Sequence, residues 1–181
     1  MTNICVFCGA RPGFHAAYAE AARAFGQALA HAGCRLVYGG GRVGLMGELA
    51  DAVLSAGGVV TGVIPDFLSH SEVLHPGLQS CHTVTDLFER KALMMEMADA
   101  FVALPGGIGT FDELLEVIAW RQLRQLDKPI GILNVDGYFD PWLTLMEHAV
   151  TEGFVERAEI DRLQITTDPA SLLALMRKIG P

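Results

Sequence analysis

Residues 98–116 read A-D-A-F-V-A-L-P-G-G-I-G-T-F-D-E-L-L-E. Ala100 to Leu104 is an apolar run of the kind that fills a strand covered on both faces of a parallel sheet. Pro105, Gly106, Gly107 and Gly109 end it. Thr110 then opens a new apolar rhythm at Phe111, Leu114, Leu115 and Ile118, which is helical spacing. The stretch is therefore strand, glycine loop, helix. The N–H groups of such a loop and the positive end of the helix dipole make an anion seat without any cationic side chain. The same residues also support plain turn chemistry. Thr110-x-x-Glu113 fits a capping box, with Thr110 as N-cap and Glu113 at the third helical position, and the glycines then serve only the turn.

The flanking sequence repeats this unit. Ile4 to Cys8 reads as the first strand, followed by the loop Gly9 to Gly13 and an alanine-rich helix stopped at Gly33. Cys34 to Tyr38 is a second strand, followed by a glycine loop and a helix from Leu45 to Ser55. Val59 to Ile64 is a third strand, closed by Pro65. Residues Asp66 to Ser80 read as irregular, with histidines in a solvated loop. A short strand at His82 to Val84 precedes a helix capped by Thr85 or Asp86. The helix after the central loop should run to Leu126. Strands follow at Pro129 to Leu133 and Leu163 to Thr166, with helices after Asp140-Pro141 and Asp168-Pro169. Strands alternating with helices give an α/β fold, a Rossmann-like doubly wound parallel sheet flanked by helices, in one domain spanning 1–181.

Composition narrows the function. The chain has 181 residues, is 51% hydrophobic and carries a net charge of −8. That suits a well-buried domain and leaves no basic face for nucleic acid. No stretch is long and apolar enough for a membrane span. The N-terminus lacks a basic leader, so no signal peptide is expected and the expected compartment is the cytoplasm. Cys5 and Cys8 are three apart on a strand and point to opposite faces, so they read as buried reduced thiols. The histidines are spaced too loosely for a metal site.

In a doubly wound sheet, ligands sit beyond the carboxyl ends of the strands, where Gly9, the Gly39–Gly44 loop and the Gly106–Thr110 loop can border one crevice. Gly39-x-Gly41-x-x-Gly44 also fits a dinucleotide fingerprint, with Asp66 at the distance of a ribose contact. On the helix after Thr85, Arg90, Leu93, Met94 and Met97 share one face. An arginine on an apolar stripe requires an anionic or polar partner, or else snorkels at the core edge. Glu113, read as lying near a helix start, is expected to be held ionised, suited to stabilising a cation or orienting a water. Arg90 and Glu113 beside an anion seat suggest a phosphorylated sugar whose reacting carbon becomes positive.

At these residues the sequence resembles a known family. P-G-G-I-G-T-F-D-E (105–113) is similar to the P-G-G-x-G-T-x-x-E signature of the LONELY GUY (LOG) proteins, which are nucleoside 5′-monophosphate phosphoribohydrolases. E-R-K-A-L-M (89–94), Y-G-G-G-R-V-G-L-M-G (38–47) and L-N-V-D-G-Y-F (133–139) resemble it too. The resemblance implies hydrolysis of the N-glycosidic bond of N6-modified adenosine 5′-monophosphates, such as isopentenyl-AMP, or of AMP, to base and ribose 5-phosphate. It implies a homodimer, and no metal or redox cofactor. It makes Arg90 and Glu113 catalytic. Glu72, Arg90, Lys91, Met94, Gly106, Gly107, Ile108, Gly109, Thr110, Asp112 and Glu113 would contact a small-molecule nucleoside monophosphate. Ala10 and Ala119 depart from the family pattern, which has serine and threonine there. A non-catalytic nucleotide-binding or carrier protein and a nicotinamide-dependent oxidoreductase are the alternatives. The older name for such proteins, lysine decarboxylase, finds little support in the context of Lys91, Lys128 or Lys178.

Overall fold

A computed structural model describes residues 1–69 and 74–179. The strands are β1 (Asn3–Phe7), β2 (Arg35–Tyr38), β3 (Val59–Pro65), β4 (Ser80–Val84), β5 (Ala100–Ala103), β6 (Ile130–Leu133) and β7 (Gln164–Thr166). They form one sheet in the order β4-β3-β2-β1-β5-β6-β7, and every pairing is parallel. The order reverses between β1 and β5, which places the topological switch point between the loops that leave those two strands.

The helices are α1 (Ala16–His31), α2 (Gly44–Ser55), α3 (Asp66–Ser69), α4 (Leu87–Met97), α5 (Ile108–Gln122), α6 (Asp140–Thr151), α7 (Arg157–Asp161) and α8 (Pro169–Ile179). Strand periodicity divides them into two layers. Ile4, Val6 and Val102 face one way and pack with Phe25, Leu49 and Leu172 of α1, α2 and α8. Cys5, Phe7 and Phe101 face the other way and pack with Met94, Leu114 and Trp142 of α4, α5 and α6. With both faces covered, β5 and β6 carry no polar side chain and β1 only Asn3 at its start, which is why these strands read as apolar runs. Cys5 and Cys8 fall in opposite layers, unbonded and buried, as their spacing requires.

The boundaries differ from the sequence reading at several places, among them the start of β4 at Ser80 rather than His82. α5 ends at Gln122 rather than Leu126, because Arg124 turns the chain with φ 57° and its N–H bonds the Arg121 carbonyl. The stretch after Pro65 forms the short α3, and α7 is an element the apolar rhythm did not announce. His75 is not solvated. It is 7% exposed, its Nε2 lies 3.0 Å from Asp51, and its Nδ1 accepts from the Gly77 N–H. His70 lies outside the described residues. Among the described residues no helix is long and apolar enough to cross a membrane.

A buried ion pair fixes the far end of α5. Arg121 is 2% exposed, its Nε donates to Glu159 of α7 at 3.1 Å, and its Nη2 donates to the Glu159 carbonyl. Removing either partner would strand a buried charge.

Candidate active site

A cavity of about 570 Å³ opens at the switch point. Such a volume suits a small organic ligand. Its floor is the glycine loop after β5, from Pro105 to Thr110, and one wall is the loop after β1, from Cys8 to Gly13. Tyr18 of α1, Leu45 and Met46 of α2, Arg90 of α4, Glu113 of α5 and Tyr138 complete it.

The start of α5 differs from the capping box read in the sequence. The helix begins at Ile108 with Gly107 as N-cap, and no side chain caps it. Thr110 is therefore the third helical residue, 3% exposed, and Glu113 is the sixth. Gly-Ile-Gly-Thr lacks the apolar rhythm that marks a helix, so the sequence reads it as loop. Among the described residues, no protein acceptor meets the N–H groups of Gly107, Ile108 and Gly109. This is the arrangement that receives an anion, since the helix leaves its first donors and dipole end open to the cavity. Gly106 is forced by space, because a Cβ there would overlap the Thr110 hydroxyl and lie 2.8 Å from the Gly9 nitrogen.

Glu113 also differs from the sequence reading in its charge state. Well inside the helix and only 11% exposed, it is desolvated, and burial raises its pKa to about 7. Arg90 opposes the shift, with Nη2 at 3.5 Å from Glu113 Oε1, but does not overcome it. Glu113 is thus poised near neutrality instead of held ionised. Arg90 is fixed in turn. Asp86 caps α4 by accepting from the N–H groups of Phe88 and Glu89, and Arg90 Nε donates to the Val63 carbonyl at 3.2 Å.

Other expected residues fall outside the lining. Lys91 Nζ is engaged by Asp112 at 3.0 Å and Glu116 at 2.8 Å. Burial works to lower its pKa, and those two carboxylates more than offset it. Met94, 1% exposed, is buried in the core on the face of the sheet covered by α4, α5 and α6. Asp112 is exposed and bound to Lys91. Glu72 lies outside the described residues. Gly39, Gly41 and Gly44 do not line the cavity, so the G-x-G-x-x-G match is not placed to hold a pyrophosphate there. Tyr18 and Tyr138 were missed as site residues. Tyr138 sits in the quoted L-N-V-D-G-Y-F motif, whereas nothing local to Tyr18 points to the cavity.

The fold is that of a Rossmann-like α/β protein with a cavity at its switch point. A family model described as "Possible lysine decarboxylase" matches residues 46–176. A cytokinin riboside 5′-monophosphate phosphoribohydrolase of Rhodococcoides fascians is 47% identical over 176 residues, 97% of this chain and 89% of that protein. The phosphoribohydrolase LOG of Oryza sativa subsp. japonica is 48% identical over 169 residues, 93% of this chain and 69% of that protein. The chain belongs to this LOG family of cytokinin riboside 5′-monophosphate phosphoribohydrolases.

Solved structures agree on the fold. A molybdenum cofactor binding protein from Rippkaea orientalis superposes with a TM-score of 0.75 at 21% identity, over 98% of this chain and 96% of that one. The molybdenum cofactor carrier protein of Chlamydomonas reinhardtii gives 0.74 at 20% identity, over 99% and 98%. The decarboxylase wording of the family description has no counterpart in the cavity. Among the described residues no lysine lines it, and Lys128 Nζ donates to the Met95 carbonyl at 2.8 Å.

Proposed function

We propose that the protein hydrolyses the N-glycosidic bond of adenosine 5′-monophosphates, including N6-modified ones such as isopentenyl-AMP, to free base and ribose 5-phosphate. The observation that carries this reading is that the uncapped start of α5 and the Arg90–Glu113 pair line one cavity. The 5′-phosphate accepts from the free N–H groups of the glycine loop, which brings C1′ within reach of the pair. As the C1′–N9 bond breaks, the base leaves with the bonding electrons and the ribose gains oxocarbenium character. Glu113 in its ionised form stabilises that cation and orients the water that adds to C1′. Arg90 cannot serve as a proton donor and acts electrostatically. The water's oxygen stays on C1′, one of its protons is released, and the base takes up one, so the reaction is redox-neutral and needs no electron carrier.

The reading extends to a cytoplasmic homodimer. On and just after α5, Leu115, Trp120 and Leu123 are 43%, 43% and 68% exposed, an apolar face suited to burial against a second copy. Light scattering at micromolar concentration is expected to give twice the chain mass, and a monomer mass would remove the claim. The test of the activity is incubation with AMP and isopentenyl-AMP followed by chromatography. Free adenine or isopentenyladenine is expected together with ribose 5-phosphate, and bound but intact nucleotide would mean a binding protein instead.

A further inference from the structure

The motif around Tyr138 is unused by the mechanism above, although its backbone is unusual. After β6 a 3₁₀ turn covers Val135–Gly137, with Asp136 at φ 48° and Gly137 at φ 71°. Two successive left-handed residues, one of them not glycine, persist only where the surroundings over-determine them. Here they do. Asn134 Nδ2 donates to Asp140 at 2.7 Å, the Phe139 N–H donates to Asn134 Oδ1 at 2.8 Å, and the Tyr138 N–H donates to the Val135 carbonyl at 2.9 Å. A Cβ on Gly137 would come within 2.6 Å of Asp140 Oδ2.

This turn aims one side chain. The Tyr138 ring lies parallel to Phe111 of α5, with centroids 6.4 Å apart, and edge-on to Tyr18 at 5.6 Å. Its hydroxyl donates to the carbonyl of Gly106. In a planar trans peptide, that carbonyl and the N–H of Gly107 point to opposite sides. A Gly106–Gly107 peptide rotated the other way would turn a carbonyl oxygen, a negative dipole end, toward a bound anion. With glycine on both sides, no side chain resists such a rotation. The hydroxyl of Tyr138 does.

We infer that Tyr138 is a positioning residue: its hydroxyl locks the Gly106–Gly107 peptide in the orientation that receives a phosphate. The inference rests on the phosphate seat of the proposed function, but not on the chemistry at C1′. The role is specific to the phosphate, so the base and ribose should not register its loss.

The test is Tyr138→Phe, which keeps the ring and its stacking. Ribose 5-phosphate affinity by calorimetry is expected to weaken roughly tenfold, the scale of one charge-assisted hydrogen bond. Inhibition by adenosine should not change. If the enzyme hydrolyses AMP, KM should rise by the same factor with kcat held within about twofold. Gly137→Ala, which displaces the turn from Asp140, should give the same pattern. Unchanged ribose 5-phosphate affinity in Tyr138→Phe would overturn the inference. So would parallel losses for adenosine and ribose 5-phosphate, since these mark a general structural role. Should wild-type protein release no base, the proposed hydrolysis fails, while the calorimetric comparison still decides the role of Tyr138.

Discussion

Gly39, at the end of β2, leaves the space that the Arg90 guanidinium occupies. A Cβ at residue 39 would overlap Arg90 Nη2 and lie 3.3 Å from Met46 Sδ. The glycine loop after β2 therefore serves the cavity indirectly, by letting an α4 side chain pass close to its backbone.

Gly39→Ala should displace Arg90 while sparing the fold. A misplacement on the order of 1 Å costs about a hundredfold in a positioned site. We expect kcat/KM for AMP to fall roughly 10- to 100-fold with a melting temperature lowered by only a few degrees. An active Gly39→Ala protein would show that the placement of Arg90 is immaterial to turnover.

Glu113 should make stability fall as pH rises. Its folded pKa, about 7, exceeds the ordinary 4.5. Between those values the folded chain holds a proton that the unfolded chain has released, so stability is lost across that window and the whole cost is present above pH 7. Its size is on the order of 3 kcal/mol. Glu113→Gln carries no such penalty. The difference in melting temperature, variant minus wild type, should therefore grow by several degrees from pH 5 to pH 8. A carboxylate held ionised by a helix start would leave that difference nearly flat from pH 5 to pH 8, because its stabilisation is lost only below about pH 4.5.

The same titration should appear in catalysis. With the ionised carboxylate as the working form, kcat/KM should rise through about pH 7 and level off above it. Glu113→Gln should lose roughly a hundredfold in kcat and also lose that inflection. A rate that falls above pH 7 would instead assign Glu113 to protonating the departing base.

If the open N–H groups at the start of α5 hold the phosphate, its binding energy positions the reacting carbon. Adenosine should then be a poorer substrate than AMP by about a hundredfold or more in kcat/KM. Equal values for the two would remove the glycine loop from substrate binding.

The thiols give an independent check on the packing. Cys5 is fully enclosed and Cys8 lies in the cavity wall at 8% exposure; burial pushes both thiols well up, and Cys34 is raised by the same cause. Cys81 alone is exposed, and partial burial raises it too. Native protein at pH 8 should react with an aromatic disulfide reagent at one site only, more slowly than a free thiol, and at all four cysteines once unfolded. Rapid labelling of Cys8 would mean that the wall of the cavity is open.

Much of the fold was legible because strands such as Ile4–Cys8 and Ala100–Leu104 are covered on both faces and so appear as apolar runs between glycine turns. Which helices lie on which face was not, since an unbroken run hides the alternation that separates Val102 from Phe101. In the site, the glycine loop and Arg90 stood out locally. The charge state of Glu113 did not, because its burial depends on elements distant in sequence. Lys91 resembled a ligand-binding cation until Asp112 and Glu116, 21 and 25 residues along the chain, proved to hold it. The start of α5 was obscured by its glycines, and its end by a turn at Arg124 that no helix-breaking residue marks.

The way α5 is held has a consequence for association. Its far end is fastened by Arg121 to Glu159 and its flank by Lys91 to Asp112 and Glu116, while among the described residues the N–H groups of Gly107, Ile108 and Gly109 at its start meet no protein acceptor. A seat fixed in this way loses little conformational entropy when it is filled, and no ordering step must precede capture. Encounter with ligand should be a single bimolecular event, and residence time should carry most of the selectivity between one phosphorylated ligand and another.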